Sequence, residues 1–171
     1  MSFDIYDASA PVFTAALTNV QKWIDKALAE GKDEAALMDA RLAPDMRPFP
    51  FQIQSSSDTA KGAIARLAGI EPPSMADTES SLAELKARCQ RTIDFIQGVD
   101  RKAFEGAAER DVVMKFPNGM AYHFSGARYL TGFALPNFFF HVTTTYALLR
   151  ANGVGLGKPD FLQHLGAPQA A

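Results

Sequence analysis

Apolar residues return every three or four positions through four long stretches of the chain, separated by short breaks rich in glycine and proline. Over residues 4–30 the positions Val12, Phe13, Ala16, Leu17, Val20, Trp23, Ile24, Ala27 and Leu28 form one such stripe, the spacing of an amphipathic helix. Gly31 ends it. Pro11 lies inside the pattern, so the helix either kinks there or starts after a short first turn. A shorter helix is expected over residues 33–39. Residues 41–50 hold Pro44, Pro48 and Pro50 and read as an ordered loop, because each proline biases its predecessor away from the α region.

The next helix is expected over residues 51–68, ending at Gly69. Its stripe of Ile53, Ser57, Ala60, Ile64 and Leu67 is apolar only in the second half. In the first half Gln52, Gln54, Ser55, Ser56, Ser57 and Asp58 crowd together, so this half either contacts something polar or faces solvent. Beyond Glu71-Pro72-Pro73, Asp77 or Thr78 is placed to cap a helix carrying Leu82, Leu85, Cys89, Thr92, Ile93 and Ile96, closed at Gly98. Residues 112–116 and 120–124 are rich in β-branched and aromatic residues around Pro117-Asn118-Gly119, the pattern of a small hairpin. A last helix is expected from Ser125 to Ala151, with a kink or restart just before Asn137, because Pro136 lies within it, and a stop at Asn152-Gly153. The pattern predicts an all-α four-helix bundle with one hairpin before the last helix. A length of 171 residues suits a single domain over residues 1–171.

Composition narrows the partners. A net charge of −2 without any cluster of Lys or Arg argues against nucleic acid, whose binding rests on phosphate neutralisation. No stretch has the run of about 18 apolar residues that a membrane span needs, and Met1-Ser2-Phe3-Asp4 does not start a leader, so a cytoplasmic protein is expected. Cys89 is the one cysteine, which excludes an internal disulfide, and its place on an apolar stripe marks a buried structural thiol. Phe is unusually frequent at 13 residues, and Phe138-Phe139-Phe140 spans about 300° of a helix, so at least one ring faces away from its own core. A homodimer contact or a pocket lid would cover that ring.

Candidate chemistry gathers on two helices. Asn137 and His141 are four apart, one above the other on one helical face. Gln54, Asp58 and Lys61 share a face of the earlier helix, and Asp58 can pair with Lys61. His123, in the hairpin, and His164, in the tail, lie far from either group. Phosphate loops, Ser/His/Asp arrangements and HExxH are absent from the sequence.

The chain resembles the DinB/YfiT-like superfamily, and within it a branch known only as a domain of unknown function. The resemblance rests on Arg41-Leu42-Ala43-Pro44-Asp45-Met46, Ala60-Lys61, Asp77-Thr78-Glu79, Leu135-Pro136-Asn137-Phe138, Phe140-His141, Leu149-Arg150, and Gly153 with Leu156-Gly157-Lys158. It implies a DinB-like four-helix bundle, commonly homodimeric, whose relatives often hold a divalent metal with three histidines. One of these comes from the second bundle helix and two from a His-x-x-x-His pair on the last. His141 falls where the last of these would lie and Asn137 where its partner would, while the second helix supplies Gln54, or alternatively Gln52 or Asp58, and no histidine. One imidazole with amide and carboxylate oxygens suits no tight transition metal, only a hard and weakly held divalent cation with His141 as a ligand.

Three readings follow. The first is a polar pocket for a small molecule between the second and last bundle helices, lined by Gln54, Asp58, Asn137 and His141, with the metal site degenerate. The second is a metal-dependent transferase or hydrolase acting on a small substrate, thiol-linked ones included. The third is a structural dimer whose site has decayed.

Overall fold

In a computed structural model, which describes residues 4–115 and 118–167, these residues form four long helices, three short α-helices, two 3-10 turns, one π turn and a hairpin. Helix α1 spans Ala10–Ala29, α2 Glu34–Asp39, α3 Phe49–Ala68, α4 Leu82–Gly98, and α6 Leu135–Ala151. Strands β1 (Asp111–Lys115) and β2 (Ala121–Ser125) precede a single turn of helix, α5 (Gly126–Tyr129). A short helix α7 (Lys158–Phe161) follows α6.

Around the bundle, α1 packs on α4 and α6, and α3 packs on the same two helices from the opposite corner. This places α3, the second bundle helix, beside the last one, α6. The stripes read from the sequence fill the centre, with Phe13, Leu17, Val20 and Ile24 from α1, Ile53, Ile64 and Leu67 from α3, and Leu85, Cys89 and Ile96 from α4 all buried; Phe138 and Leu149 from α6 join them. Of the two options at Pro11, the structure has the short first turn: residues 5–9 form turns and α1 starts at Ala10, with Pro11 in its first helical turn where a missing N–H costs nothing.

Two helix starts differ from the expected ones. Helix α3 begins at Phe49, two residues early, because Pro48 and Pro50 flank its first turn and suit a helix start. The cap of α4 is neither Asp77 nor Thr78 but Ser81, whose hydroxyl accepts from the Glu84 N–H at 3.2 Å. Glu84 reaches back to the Ser80 N–H at 2.6 Å. Asp77 is drawn elsewhere, into an ion pair described below.

The hairpin pairs Val112 with Phe124 and Met114 with Tyr122 in antiparallel register; Phe116 and Pro117, on its turn, lie outside the described residues. Gly126 follows β2 at a point where a Cβ would stand 1.8 Å from the Ala107 carbonyl oxygen, so only glycine allows the hairpin to dock. Ahead of α6, residues Leu130–Ala134 widen into a π-helical turn. Pro136 has no N–H for the carbonyl four residues back and its ring would strike it, and the wider turn relieves both without ending the helix.

Candidate functional site

The polar first half of α3 is neither exposed nor directed to one place. Gln52, Gln54, Ser56, Ser57 and Lys61 are all buried, and they serve two separate faces. The face toward α4 carries Gln54, Ser57, Asp58 and Lys61. The face toward α6 carries Gln52 and Thr59.

On the α4 side, Arg88 is the organiser, with a side chain that is 0% exposed. Its Nη1 donates to both oxygens of Glu79 at 3.1 Å and to the Ala76 carbonyl at 3.0 Å. Its Nη2 donates to Asp58 at 2.8 Å and pairs with Asp77 at 2.9 Å. Lys61 reaches Asp58 at 2.7 Å, Arg91 reaches Glu79 at 3.3 Å, and Gln54 Nε2 donates to Glu79 at 3.0 Å. Beneath them Ser57 and Thr92 share a hydrogen bond of 2.6 Å. Three cations (Lys61, Arg88, Arg91) thus face three carboxylates (Asp58, Asp77, Glu79). Burial raises the Glu79 pKa, but hydrogen bonds from Gln54 and Arg88 outweigh it and leave the carboxyl below its ordinary value. For Arg88, burial is likewise outweighed, by the charges of Asp58, Glu79 and Asp77, and the pKa rises. Here charge is matched by charge. One atom is left over: Arg88 Nε is buried without a hydrogen-bond partner.

On the α6 side, among the described residues, the hydrogen-bonded side-chain pairs are neutral. His141 Nδ1 lies 2.9 Å from Gln52 Oε1, and Gln52 Nε2 donates to the Arg47 carbonyl at 2.9 Å. The second of these bonds fixes the amide orientation, so Oε1 is the acceptor and Nδ1 must carry the imidazole proton. The lone pair then resides on Nε2, which has no hydrogen-bond partner among the described residues. Burial pushes the His141 pKa down, favouring this neutral form. One turn earlier Asn137 Nδ2 donates to Thr59 Oγ1 at 2.8 Å, and Thr59 in turn donates to the Ser55 carbonyl at 2.7 Å. The imidazole is flanked edge to face by Phe51 and Phe140, with centroids at 6.0 and 5.1 Å. The Arg47 guanidinium lies over Phe51, 4.7 Å from its centroid.

Of the four residues singled out from sequence, then, Asn137 and His141 share the α3–α6 seam, whereas Gln54 and Asp58 belong to the Arg88 cluster on the other side of α3. Gln52, the alternative to Gln54, is the residue that meets His141. Arg88 was not singled out, although Leu85, Arg88, Cys89 and Thr92 follow the three-four spacing of the α4 core face and so place a cation inside. Cys89 is fully buried, which pushes its thiol up to about 12 and leaves it unreactive. The three phenylalanines diverge: Phe138 is buried, Phe139 partly so, and Phe140 is 55% exposed.

A transition metal does not fit this seam. His141 is its one imidazole, the neighbouring amides are bonded to Arg47 and Thr59, and among the described residues no three His, Cys, Asp or Glu side chains are placed to hold a metal ion.

The four-helix bundle with a hairpin before its last helix is the architecture that the resemblance to DinB-like bundles implied. The DUF1993 family profile, a domain of unknown function, matches residues 5–162, and the chain belongs to that family. Among solved structures it is similar to a DinB family member protein from Shewanella denitrificans, with 34% identity and a TM-score of 0.85 over 98% of this chain and 95% of that one. No protein of curated function matches it. Among the described residues no helix is long and apolar enough to cross a membrane.

Proposed function

We propose that this chain is a small-molecule-binding member of the DinB-like bundles, with its site at the α3–α6 seam around His141, Gln52, Asn137 and Thr59 rather than at a three-histidine metal centre. The observation that supports it is the anchored tautomer. Gln52 holds the Nδ1 proton of a half-buried imidazole and leaves Nε2 with a lone pair and no partner among the described residues. Such a nitrogen accepts a proton or hydrogen bond from a ligand, and the same arrangement serves a general base. The flanking rings of Phe51 and Phe140 supply apolar walls, and Arg47 supplies a positive edge. A second copy of the chain, packed against the exposed Phe140, is the proposed partner.

A panel of water-soluble fragments that each carry a hydrogen-bond donor, titrated against the isotope-labelled protein, tests the reading. Saturable shifts centred on His141, Gln52 and Asn137, lost in His141→Ala, are expected. Fragments that bind only elsewhere on the protein would overturn it.

A further inference from the structure

The segment that follows α6 is held to the bundle in two different ways. Val154 and Leu156 are buried and fix its start. Beyond Gly157 the burial stops: α7 contributes no buried residue, and Leu162 and Leu165 are exposed. Residues 158–165 cover a cavity of about 290 Å³, whose wall takes Phe161 and His164 from this segment, Ala15, Asn19 and Trp23 from α1, and Phe139 from α6. One ring and a few polar bonds hold the cover down. Phe161 packs against Trp23 and Tyr146, with ring centroids at 5.4 and 5.7 Å. Trp23 Nε1 donates to the Asp160 carbonyl at 3.0 Å, and the part-exposed Lys26 and Asp160 side chains pair at 3.5 Å. Asn19 Nδ2 donates to the Phe161 carbonyl at 2.8 Å and lies 3.2 Å from His164 Nδ1.

The Asn19 amide sets the state of His164. The Phe161 carbonyl can only accept, so the amide nitrogen faces it, and the same nitrogen directs its second hydrogen at His164 Nδ1. That ring nitrogen must therefore carry a lone pair, which requires the neutral imidazole. A proton on Nδ1 turns the contact into N–H against N–H. Turning the amide over to answer it would set Oδ1 against the Phe161 carbonyl, so no orientation of Asn19 satisfies both. Neighbouring carboxylates offer no ready replacement. Asp7, in the same wall, accepts from Arg101 through both oxygens at 2.8 Å, and Asp160 is engaged by Lys26 and by the Gly157 N–H. The other charges on the packed elements, Lys22 of α1 and Lys158 of α7, are exposed cations, and α6 brings the Tyr146 phenol.

We propose that residues 158–165 form a pH-released strap over the α1–α6 cavity, latched by neutral His164 and freed when that imidazole takes up a proton, with Gly157 as the hinge. Only the open strap accommodates the proton, so closure is favoured at the alkaline side of the histidine range and weakens toward acid. Lifting the strap removes Phe161 and His164 from the cavity wall and opens the space to solvent. The rest of the fold need not open with it, because the bonds broken are few and lie at the surface.

Trp23 is the chain's only tryptophan, and its indole N–H is bonded to the strap. Hydrogen exchange of that N–H in the full-length, isotope-labelled protein, followed by NMR and referred to free indole at each pH, therefore reads the open population. Between about pH 7.5 and about pH 5.5 its protection is expected to fall roughly three- to tenfold, the worth of one net hydrogen bond. His164→Ala should leave protection low at both pH values and remove the dependence, whereas His141→Gln, on the other side of α6, should leave the fall intact. The proposal is overturned if the wild-type protection does not change, if the fall persists in His164→Ala, or if His141→Gln abolishes it. It is also overturned if the indole N–H exchanges as slowly as the core amide of Cys89, since the segment would then open only with the whole fold.

Discussion

Helix α3 has two polar faces, and they are built on opposite terms. Toward α4, Glu79, Asp58 and Asp77 are matched by Arg88, Lys61 and Arg91, and nearly every donor and acceptor is used. Toward α6, two neutral pairs, His141 with Gln52 and Asn137 with Thr59, leave an imidazole lone pair unused in a half-buried setting. A saturated charge cluster holds helices and loops in place. It does so here by tying residues 76–79, ahead of α4, to both α3 and α4. A neutral seam with spare hydrogen-bonding capacity is where a ligand gains something by binding. The more conspicuous cluster is thus the structural one, and the modest pair is the candidate site.

The largest effect should come from breaking the saturated side. Arg88→Ala leaves Glu79, whose side chain is only 5% exposed, with just the more exposed Arg91 and the Gln54 amide to answer its charge, and a loss of about 3 kcal/mol in denaturant unfolding is expected. Asp77→Asn should cost no more than about 1 kcal/mol, because Asp77 is itself 54% exposed and Arg88 keeps two other carboxylates. Equal costs for the two variants would show that the cluster does not depend on the buried guanidinium.

Acid should then separate the two faces in pH. The folded pKa of Glu79 lies below its unfolded value, so its contribution is complete above about pH 4.3 and disappears as pH falls through the folded pKa. The folded pKa of His141 is depressed too. Its unfolded form takes a proton near pH 6.5 while the folded imidazole does not, so stability begins to fall from that pH downward until the folded pKa is passed. Glu79→Gln should flatten the lower limb of the stability profile and His141→Gln the upper one. A profile in which His141→Gln leaves the upper limb unchanged would show that the seam does not hold its imidazole neutral.

The smallest effect concerns association. Phe140→Ser should leave stability nearly unchanged, since the ring is 55% exposed, but shift the sedimentation profile toward monomer. A wild-type protein that is already monomeric at micromolar concentration would remove the dimer from the account.

Much of the frame was legible in the sequence because three-four periodicity survives folding: the stripes of α1, apart from the exposed Leu28 at its end, and of α4 lie in the buried core. That Pro136 would disturb the helix was legible too, though the π turn that accommodates it without a break was not, because sequence shows where a proline falls in a helix but not how the preceding turn relaxes. The site was legible by half. His141 and Asn137 were visible as a pair on one helical face. Their partners were not, because six polar residues in a row on α3 say nothing about which neighbour each one faces. One helical position, about 100° of rotation, separates residues that meet α6 from those that meet α4. Arg88 escaped notice because a cation inside an apolar stripe is read as an interruption until three carboxylates are found around it.

Elemental analysis of the purified, dialysed protein, alongside His141→Ala, tests the central claim most directly. The account predicts no stoichiometric transition metal in either protein, since the seam offers a single imidazole whose Nδ1 already bonds Gln52. One tightly held zinc, nickel or iron per chain, lost in His141→Ala, would contradict it and make His141 part of a metal centre.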